Sequence, residues 1–78
     1  MEVGAAKKDA KVLIAEVFEV DVADIPKDVG IGNYDRWDSL GHLRIVVYIE
    51  EFLGRSLDTE EILSIIDLKS IQELIDSY

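Results

Sequence analysis

The chain contains no cysteine, and it has one proline, one histidine and one tryptophan among its 78 residues. Without cysteine, disulfide bonds, thiolate zinc sites and cysteine nucleophiles are excluded. A single histidine also argues against a transition-metal site. The acidic residues show no EF-hand spacing, so we expect no metal site. One proline and five glycines are too few for a long linker.

Long apolar runs are absent as well. No stretch approaches the roughly 20 apolar residues that a membrane-spanning helix needs. The N-terminus shows no basic segment followed by an apolar run, as a signal peptide would. We therefore expect a cytoplasmic protein without a membrane span. The length predicts a single small domain, residues 1–78, which we expect to be a monomer.

Positive charge is scarce, with 8 basic residues against 17 acidic ones and a net charge of −9. Such a surface repels phosphate backbones, so nucleic acid is not an expected partner. The excess of acids has two readings. It either keeps the surface solvated or favours a partner with a basic docking patch. Charge alone does not separate the two.

Apolar residues recur at helical spacing in the first half of the chain. A first helix is predicted over residues 5–20, with an apolar face made of Ala6, Ala10, Leu13, Ile14, Val17 and Phe18. A second is predicted over Ser39–Leu53, with Asp38 as its N-cap and Gly54 at its C-terminal end. The β-branched run 45–49 would also suit a buried strand. The apolar spacing continues over four turns, which favours a helix.

Two shorter helices are predicted in the last third of the chain. The third runs from near residue 58 to near residue 66, with Glu61 placed three residues after Asp58. The last begins at Ser70, because Ser70 and Glu73 match the S-x-x-E capping box. Together the four segments predict an all-α protein, a four-helix bundle with a short third helix.

A long ordered loop is predicted between the first two helices, over residues 21–38. Its turn-forming residues are Pro26, Gly30, Gly32 and Asn33. We expect Val29, Ile31 and Trp37 to anchor it to the core. A loop of this length in a compact domain is usually functional.

The second helix carries two apolar stripes. At 3.6 residues per turn, the core face consists of His42, Ile45, Val46, Ile49, Phe52 and Leu53. Leu40, Leu43 and Val47, which we call the apolar strip, lie on another side together with Ser39 and Arg44. The strip either packs under a loop or the third helix, or forms an exposed docking surface rimmed by charge.

Ser39 has three possible roles. As a nucleophile it would need a base, but His42 points toward the core face, and no G-x-S-x-G elbow is present. As a cap it is redundant, because Asp38 serves that purpose better. The third role is attachment: a phosphate on the hydroxyl would meet the positive end of the helix dipole. The pattern favours attachment.

Several segments resemble acyl and peptidyl carrier proteins. Trp37-Asp38-Ser39-Leu40 and the following EEFLGRSL, residues 50–57, look like the phosphopantetheine motif and the end of the family's second helix. VFEVDVADI, residues 17–25, looks like the end of its first helix and the start of its loop. LKSIQELI, residues 68–75, looks like its last helix. The D-S-L triplet is weak alone; the length, acidity and four-helix pattern make the match more specific.

The resemblance implies a four-helix bundle of the acyl-carrier type and a non-catalytic carrier protein. Ser39 would carry covalent 4′-phosphopantetheine, transferred from coenzyme A by a phosphopantetheinyl transferase (a carrier-protein synthase). The cofactor thiol would hold acyl or aminoacyl groups as thioesters. By the same resemblance, Asp38 would assist the metal-centred site of the synthase, and Leu40, Leu43 and Val47 would contact partners. We add Arg44, which shares their side of the helix, to this partner surface.

Other partners would be acyl- or aminoacyl-loading enzymes and downstream biosynthetic enzymes. The early part of the second helix departs from fatty-acid carriers, which are acidic there. Here it holds His42 and Arg44, with acids only at Glu50 and Glu51. This favours a specialised pathway that makes a polyketide, a nonribosomal peptide or an envelope component. The alternative is a small acidic helical interaction module without a prosthetic group.

Overall fold

The structure, a computed structural model, describes residues 9–77. Its regular elements are four helices: α1 (Ala10–Phe18), α2 (Ser39–Leu53), α3 (Thr59–Ser64) and α4 (Leu68–Asp76). A 3₁₀ turn, Val22–Asp24, lies in the connection between α1 and α2. Over these residues no strand forms, so the all-α prediction is confirmed. Within the same range, no helix is both long and apolar enough to cross a membrane.

Helix α1 ends at Phe18, before the predicted end at residue 20, and residues 5–8 of the predicted segment lie outside the described residues. It begins after Asp9, whose carboxylate accepts hydrogen bonds from the backbone N–H groups of Lys11 and Val12 at 2.8 and 3.4 Å. It ends at Phe18, because Glu19 adopts the left-handed conformation with φ of 58°. The predicted face residue Ala6 lies outside the described residues.

The predicted bounds of α2 are confirmed at both ends. The Asp38 carboxylate caps its first turn, and Gly54 ends it with φ of 74°. At the start of α3, Asp58 and Glu61 form a reciprocal capping box. Helix α3 then stops at Ser64, two residues before the predicted end, and none of its six residues is buried.

The predicted start of α4 at Ser70 is wrong. The helix begins at Leu68, and its N-cap is Asp67, whose carboxylate accepts from the Ser70 N–H at 2.8 Å. The Ser70 hydroxyl donates to the Asp67 carbonyl oxygen and accepts from the Asp67 N–H. Ser70 is thus the inner member of a capping box, in the place usually taken by Glu or Gln.

The core is formed by α1, α2, α4 and the segments between the helices. Its fully enclosed large side chains are Trp37, Leu13, Ile14, Ile45, Ile49, Ile65, Ile71 and Val29. On the predicted core face of α2, Ile45, Val46, Ile49 and Leu53 are buried, whereas His42 and Phe52 are half-buried. The predicted core face of α2 is confirmed, and the half-buried His42 and Phe52 lie at the border of the core.

An exposed ion pair at α3 makes the stability of the fold depend on pH. The Arg55 guanidinium donates two hydrogen bonds to the Glu61 carboxylate, at 2.7 and 3.0 Å. Together with the Asp58 N–H, it lowers the pKa of Glu61 from 4.5 to about 2. A carboxyl with a lowered folded-state pKa stabilises the fold above its unfolded pKa, and this contribution is lost as the pH falls toward the folded value.

We therefore expect Glu61→Gln to lower the urea midpoint at neutral pH, and the difference from the wild type to shrink between about pH 4.5 and about pH 2. Because the pair is exposed, the effect will be small. Glu60→Gln, the same charge change one residue earlier in the first turn of α3, is the control for the helix dipole. An identical pH profile for the two variants would show that the Arg55 pair contributes nothing.

Candidate functional site

Ser39 is the first residue of α2, and its side chain is exposed. The cap is made by its neighbour: the Asp38 carboxylate accepts from the Gly41 N–H at 2.8 Å, and the Asp38 carbonyl accepts from the His42 N–H at 2.8 Å. Within residues 9–77 the Ser39 hydroxyl has no hydrogen-bond partner. The predicted division of roles between Asp38 as cap and Ser39 as an open hydroxyl is therefore present.

Gly41 lets the loop approach α2 more closely than any other residue would. It is buried, and a Cβ atom there would lie 2.0 Å from the Arg36 carbonyl oxygen and 3.1 Å from the Phe18 ring. Gly41 was not among the site residues predicted from the sequence. An isolated glycine inside a helical pattern was the available signal, since it costs about 1 kcal/mol relative to alanine and usually has a packing reason.

Buried side chains anchor the loop that leads to Ser39. Val29 and Trp37 are each 1% exposed, as predicted, and Ile25 is also buried. The prediction that Ile31 anchors the loop is wrong, because its side chain is 46% exposed. Ile31 acts through its backbone instead, donating its N–H to the Ile66 carbonyl at 2.9 Å.

Hydrogen bonds hold the middle of this loop. The Asn33 side chain accepts from the Gly30 N–H at 2.8 Å and donates to the Asp28 carbonyl at 2.9 Å. Gly30 also forms a backbone bridge with Asp67 at the start of α4. Hydrogen bonds hold the middle of the loop and the buried Trp37 holds its end, so Ser39 has a fixed position.

The apolar strip is exposed along its whole length. Leu40, Leu43 and Val47 are 67%, 58% and 51% exposed. Of the two alternatives, packing under the loop or α3 is thus excluded for the folded domain. A strip of this kind beside an open hydroxyl has the anatomy of a docking surface.

Arg44 lies on the side of the strip, but its guanidinium is directed to α1. It donates to the Val17 carbonyl at 2.7 Å and lies 3.9 Å from the Glu19 carboxylate. A cation at a helix C-terminus is favourable, because it satisfies an unpaired carbonyl and opposes the dipole. Arg44 therefore links α1 and α2 in addition to any contact with a partner.

Two grooves flank this arginine. The first, of about 280 Å³, is lined by Phe18, Asp35, Arg36, Asp38, Leu40, Gly41 and Arg44. The second, of about 350 Å³, is lined by Glu16, Val17, Glu19, Arg44, Val47, Tyr48 and Glu51. The first groove combines both signs of charge next to Ser39, and the second is mainly acidic at its rim.

His42 does not contact Ser39. Its Nδ1 accepts from the Trp37 indole N–H, and its Nε2 lies 3.1 Å from the Ile62 carbonyl oxygen. Both ring nitrogens are therefore bonded to groups other than the serine hydroxyl. Across residues 9–77, no three His, Asp or Glu side chains are grouped in the way that metal ligands are.

The amino-acid sequence matches no model of a known protein family, and no significant match was found among curated proteins.

Proposed function

We propose that this protein is a carrier that bears 4′-phosphopantetheine on Ser39 and presents acyl or aminoacyl groups to partner enzymes as thioesters. The observation that carries the proposal is the open Ser39 hydroxyl at the start of a 15-residue helix whose cap is supplied by Asp38. The resemblance of the surrounding W-D-S-L segment to carrier proteins identifies the chemistry of the attached group.

The residues around Ser39 suit a phosphodiester on its oxygen. The first turn of α2 has backbone N–H groups without partners inside the helix, and the positive end of its dipole favours an anion. The attached group would supply a thiol, which the cysteine-free chain lacks. Because Ser39 is exposed, a transferase can reach it without unfolding the domain.

The modification itself is a phosphoryl-type transfer with a balanced outcome. The Ser39 oxygen bonds to the phosphorus that bears the pantetheine arm, and the pyrophosphate bond of coenzyme A breaks. Adenosine 3′,5′-bisphosphate leaves, and the hydroxyl proton passes to a base or water of the transferase. Asp38 would contribute its carboxylate to the metal-centred site of that enzyme, as the resemblance implies.

The apolar strip is the proposed docking surface for the transferase, the loading enzymes and the later enzymes of the pathway. Its three exposed side chains begin one residue after Ser39 and continue along one side of α2. Burying them in a partner groove would remove apolar area from water and orient the serine toward the partner site.

The charge distribution supports a specialised pathway over general fatty-acid synthesis. Arg36 and Arg44 both line the groove beside Asp38, whereas the acidic residues of α2 are confined to Glu50 and Glu51 near its end. A partner must therefore match both signs of charge along α2. We propose a pathway that makes a polyketide, a nonribosomal peptide or an envelope component.

The exposure of the strip also favours a second candidate function, an interaction module that docks to proteins without any prosthetic group. The two candidates share the surface and differ in Ser39. Only a carrier is modified by a transferase, so covalent modification distinguishes them.

Incubation with coenzyme A and a broad-specificity phosphopantetheinyl transferase should add one phosphopantetheine to the wild type and none to Ser39→Ala. Intact mass measures the result. Ser56→Ala, at another exposed serine, is the control and should be modified like the wild type. Circular dichroism should be unchanged in both variants, because exposed substitutions typically alter stability by about 0.5 kcal/mol. An unmodified wild type, or a modified Ser39→Ala protein, would overturn the proposal.

A further inference from the structure

The only tryptophan and the only histidine of the chain are bonded to each other. The buried Trp37 indole N–H donates to Nδ1 of His42 at 3.1 Å, and Nε2 of the same ring lies 3.1 Å from the Ile62 carbonyl oxygen. The planes of the two rings are nearly parallel, with an interplanar angle of 20° and centroids 6.3 Å apart.

This arrangement requires one protonation state of the imidazole. An indole nitrogen can only donate, so Nδ1 must be the acceptor and carries no proton. A carbonyl can only accept, so Nε2 must carry the proton. Both bonds therefore exist only in the neutral ring protonated at Nε2. With a second proton, on Nδ1, the imidazole and the indole would each direct an N–H donor at the other. The buried indole N–H of Trp37 would then have no acceptor.

The three residues join three parts of the fold. Trp37 is the end of the loop, two residues before Ser39, His42 is on α2, and Ile62 is on α3. Helix α3 contains no buried residue, although its Ile62 side chain packs against the core. The hydrogen bond to the Ile62 carbonyl adds a polar contact between α2 and α3.

We propose that Trp37, His42 and the Ile62 carbonyl form a proton-sensitive latch. While the imidazole is neutral, the latch holds α3 and the segment that precedes Ser39 against α2. Protonation of His42 breaks the bond to the indole and weakens the hold on the loop end, whereas the Nε2–H donor to the Ile62 carbonyl remains in the imidazolium. The latch is independent of the proposed carrier function, since it depends only on these hydrogen bonds.

Charged groups surround the latch without contacting it. No ion pair or hydrogen bond in residues 9–77 joins a charged side chain to the imidazole. The charged residues nearest in sequence to the three members are Asp35, Arg36 and Asp38 of the loop, Arg44 of α2, Asp58 as the N-cap of α3, and Glu60 and Glu61 within α3. Of these, Asp38, Arg44, Asp58 and Glu61 already have the partners described above. Protonation of His42 therefore acts directly on its hydrogen bonds to the indole and the carbonyl.

The test is a proton NMR titration of the full chain from about pH 8 to about pH 5, the range in which histidine changes charge. One indole N–H signal and one imidazole ring report the two partners without ambiguity, since each residue type occurs once. We expect the indole signal and the amide signals of α3 to shift in parallel with the imidazole ring protons. An indole signal that stays constant while the imidazole titrates would overturn the proposal.

His42→Asn is the matched variant. Its side-chain oxygen can take the place of Nδ1 as acceptor for the indole, but it does not titrate. The indole and α3 shifts should disappear in this variant. Relative to it, the unfolding equilibrium constant of the wild type should rise as the pH falls from about 8 to about 5, because the buried indole N–H loses its acceptor. Identical pH dependence in both proteins would assign the effect to the carboxylates and refute the latch. If the variant does not fold, the wild-type titration alone decides.

Discussion

Gly41→Ala is expected to destabilise the domain by about 1–3 kcal/mol, although the same change at most helical positions is stabilising. The added methyl group would lie 2.0 Å from the Arg36 carbonyl oxygen, which is backbone and has no rotamer to change. Either the loop end or α2 must move, and the Phe18 ring limits movement on the other side. The gain in helix propensity, about 1 kcal/mol, does not offset this clash.

Urea midpoints measure the loss of stability, and the near-ultraviolet circular dichroism of Trp37 reports the displacement of the loop end. Leu40→Ala, one residue away and 67% exposed, is the control and should leave both signals close to those of the wild type. A Gly41→Ala protein as stable as the wild type would mean that the loop end yields without cost. Ser39 would then sit on a less rigid support than the structure indicates.

Ile49→Ala is expected to cost roughly 2–5 kcal/mol, through lost transfer free energy and the cavity left behind. Ile49 is on the core face of α2 and is 0% exposed. For a domain of 78 residues this is a large part of the total stability. The urea midpoint should fall steeply, and the variant is expected to be partly unfolded near body temperature.

Val47→Asp tests the other side of the same helix. Val47 is 51% exposed, and valine and aspartate have similar helix propensities, so the urea midpoint should change little. Transfer of phosphopantetheine should nevertheless slow by about tenfold or more, because the partner would have to desolvate an unpaired carboxylate. If Val47→Asp unfolds the domain as Ile49→Ala does, the strip is part of the core and docking must take place elsewhere.

The two ends of α2 and the start of α3 were the most predictable part of the fold. Asp38 and Gly54 mark the ends of α2, and Asp58 with Glu61 marks the start of α3. These signals are local, because a cap satisfies N–H or carbonyl groups within one turn. The core face of α2 was equally accessible, since it follows from the helical period alone.

Other ends could not be predicted, because the deciding interactions leave no distinctive residue pattern. Helix α1 stops at Glu19 in a left-handed conformation that usually signals glycine. At α4, S-x-x-E starting at Ser70 and D-x-x-S starting at Asp67 were both possible caps, and the structure uses the second. Local sequence gives no rule for choosing between overlapping capping patterns.

Several residues of the candidate site were predicted from the sequence, but Gly41 and the contacts between residues were not. The open Ser39 hydroxyl follows from the presence of Asp38, whereas the helical period gave only the angle of the apolar strip and left open whether the strip is packed or exposed. The bond between Trp37 and His42 depends on where a long loop ends in space, and the turn of the Arg44 guanidinium toward α1 depends on helix packing. Contacts of this kind can be identified only from the tertiary structure.

The backbone bridge between Gly30 and Asp67 has a consequence for the order of folding. Its two residues are separated by the whole of α2 and α3, so closing this contact carries a high loop-closure entropy. Contacts between α1 and α2 form over shorter separations and are expected first. During synthesis the segment leading to Ser39 leaves the ribosome before the residues that order it. A nascent chain ending after α2 would therefore hold this loop through its buried side chains and its own hydrogen bonds, without the backbone contacts of Gly30 and Ile31 to the start of α4.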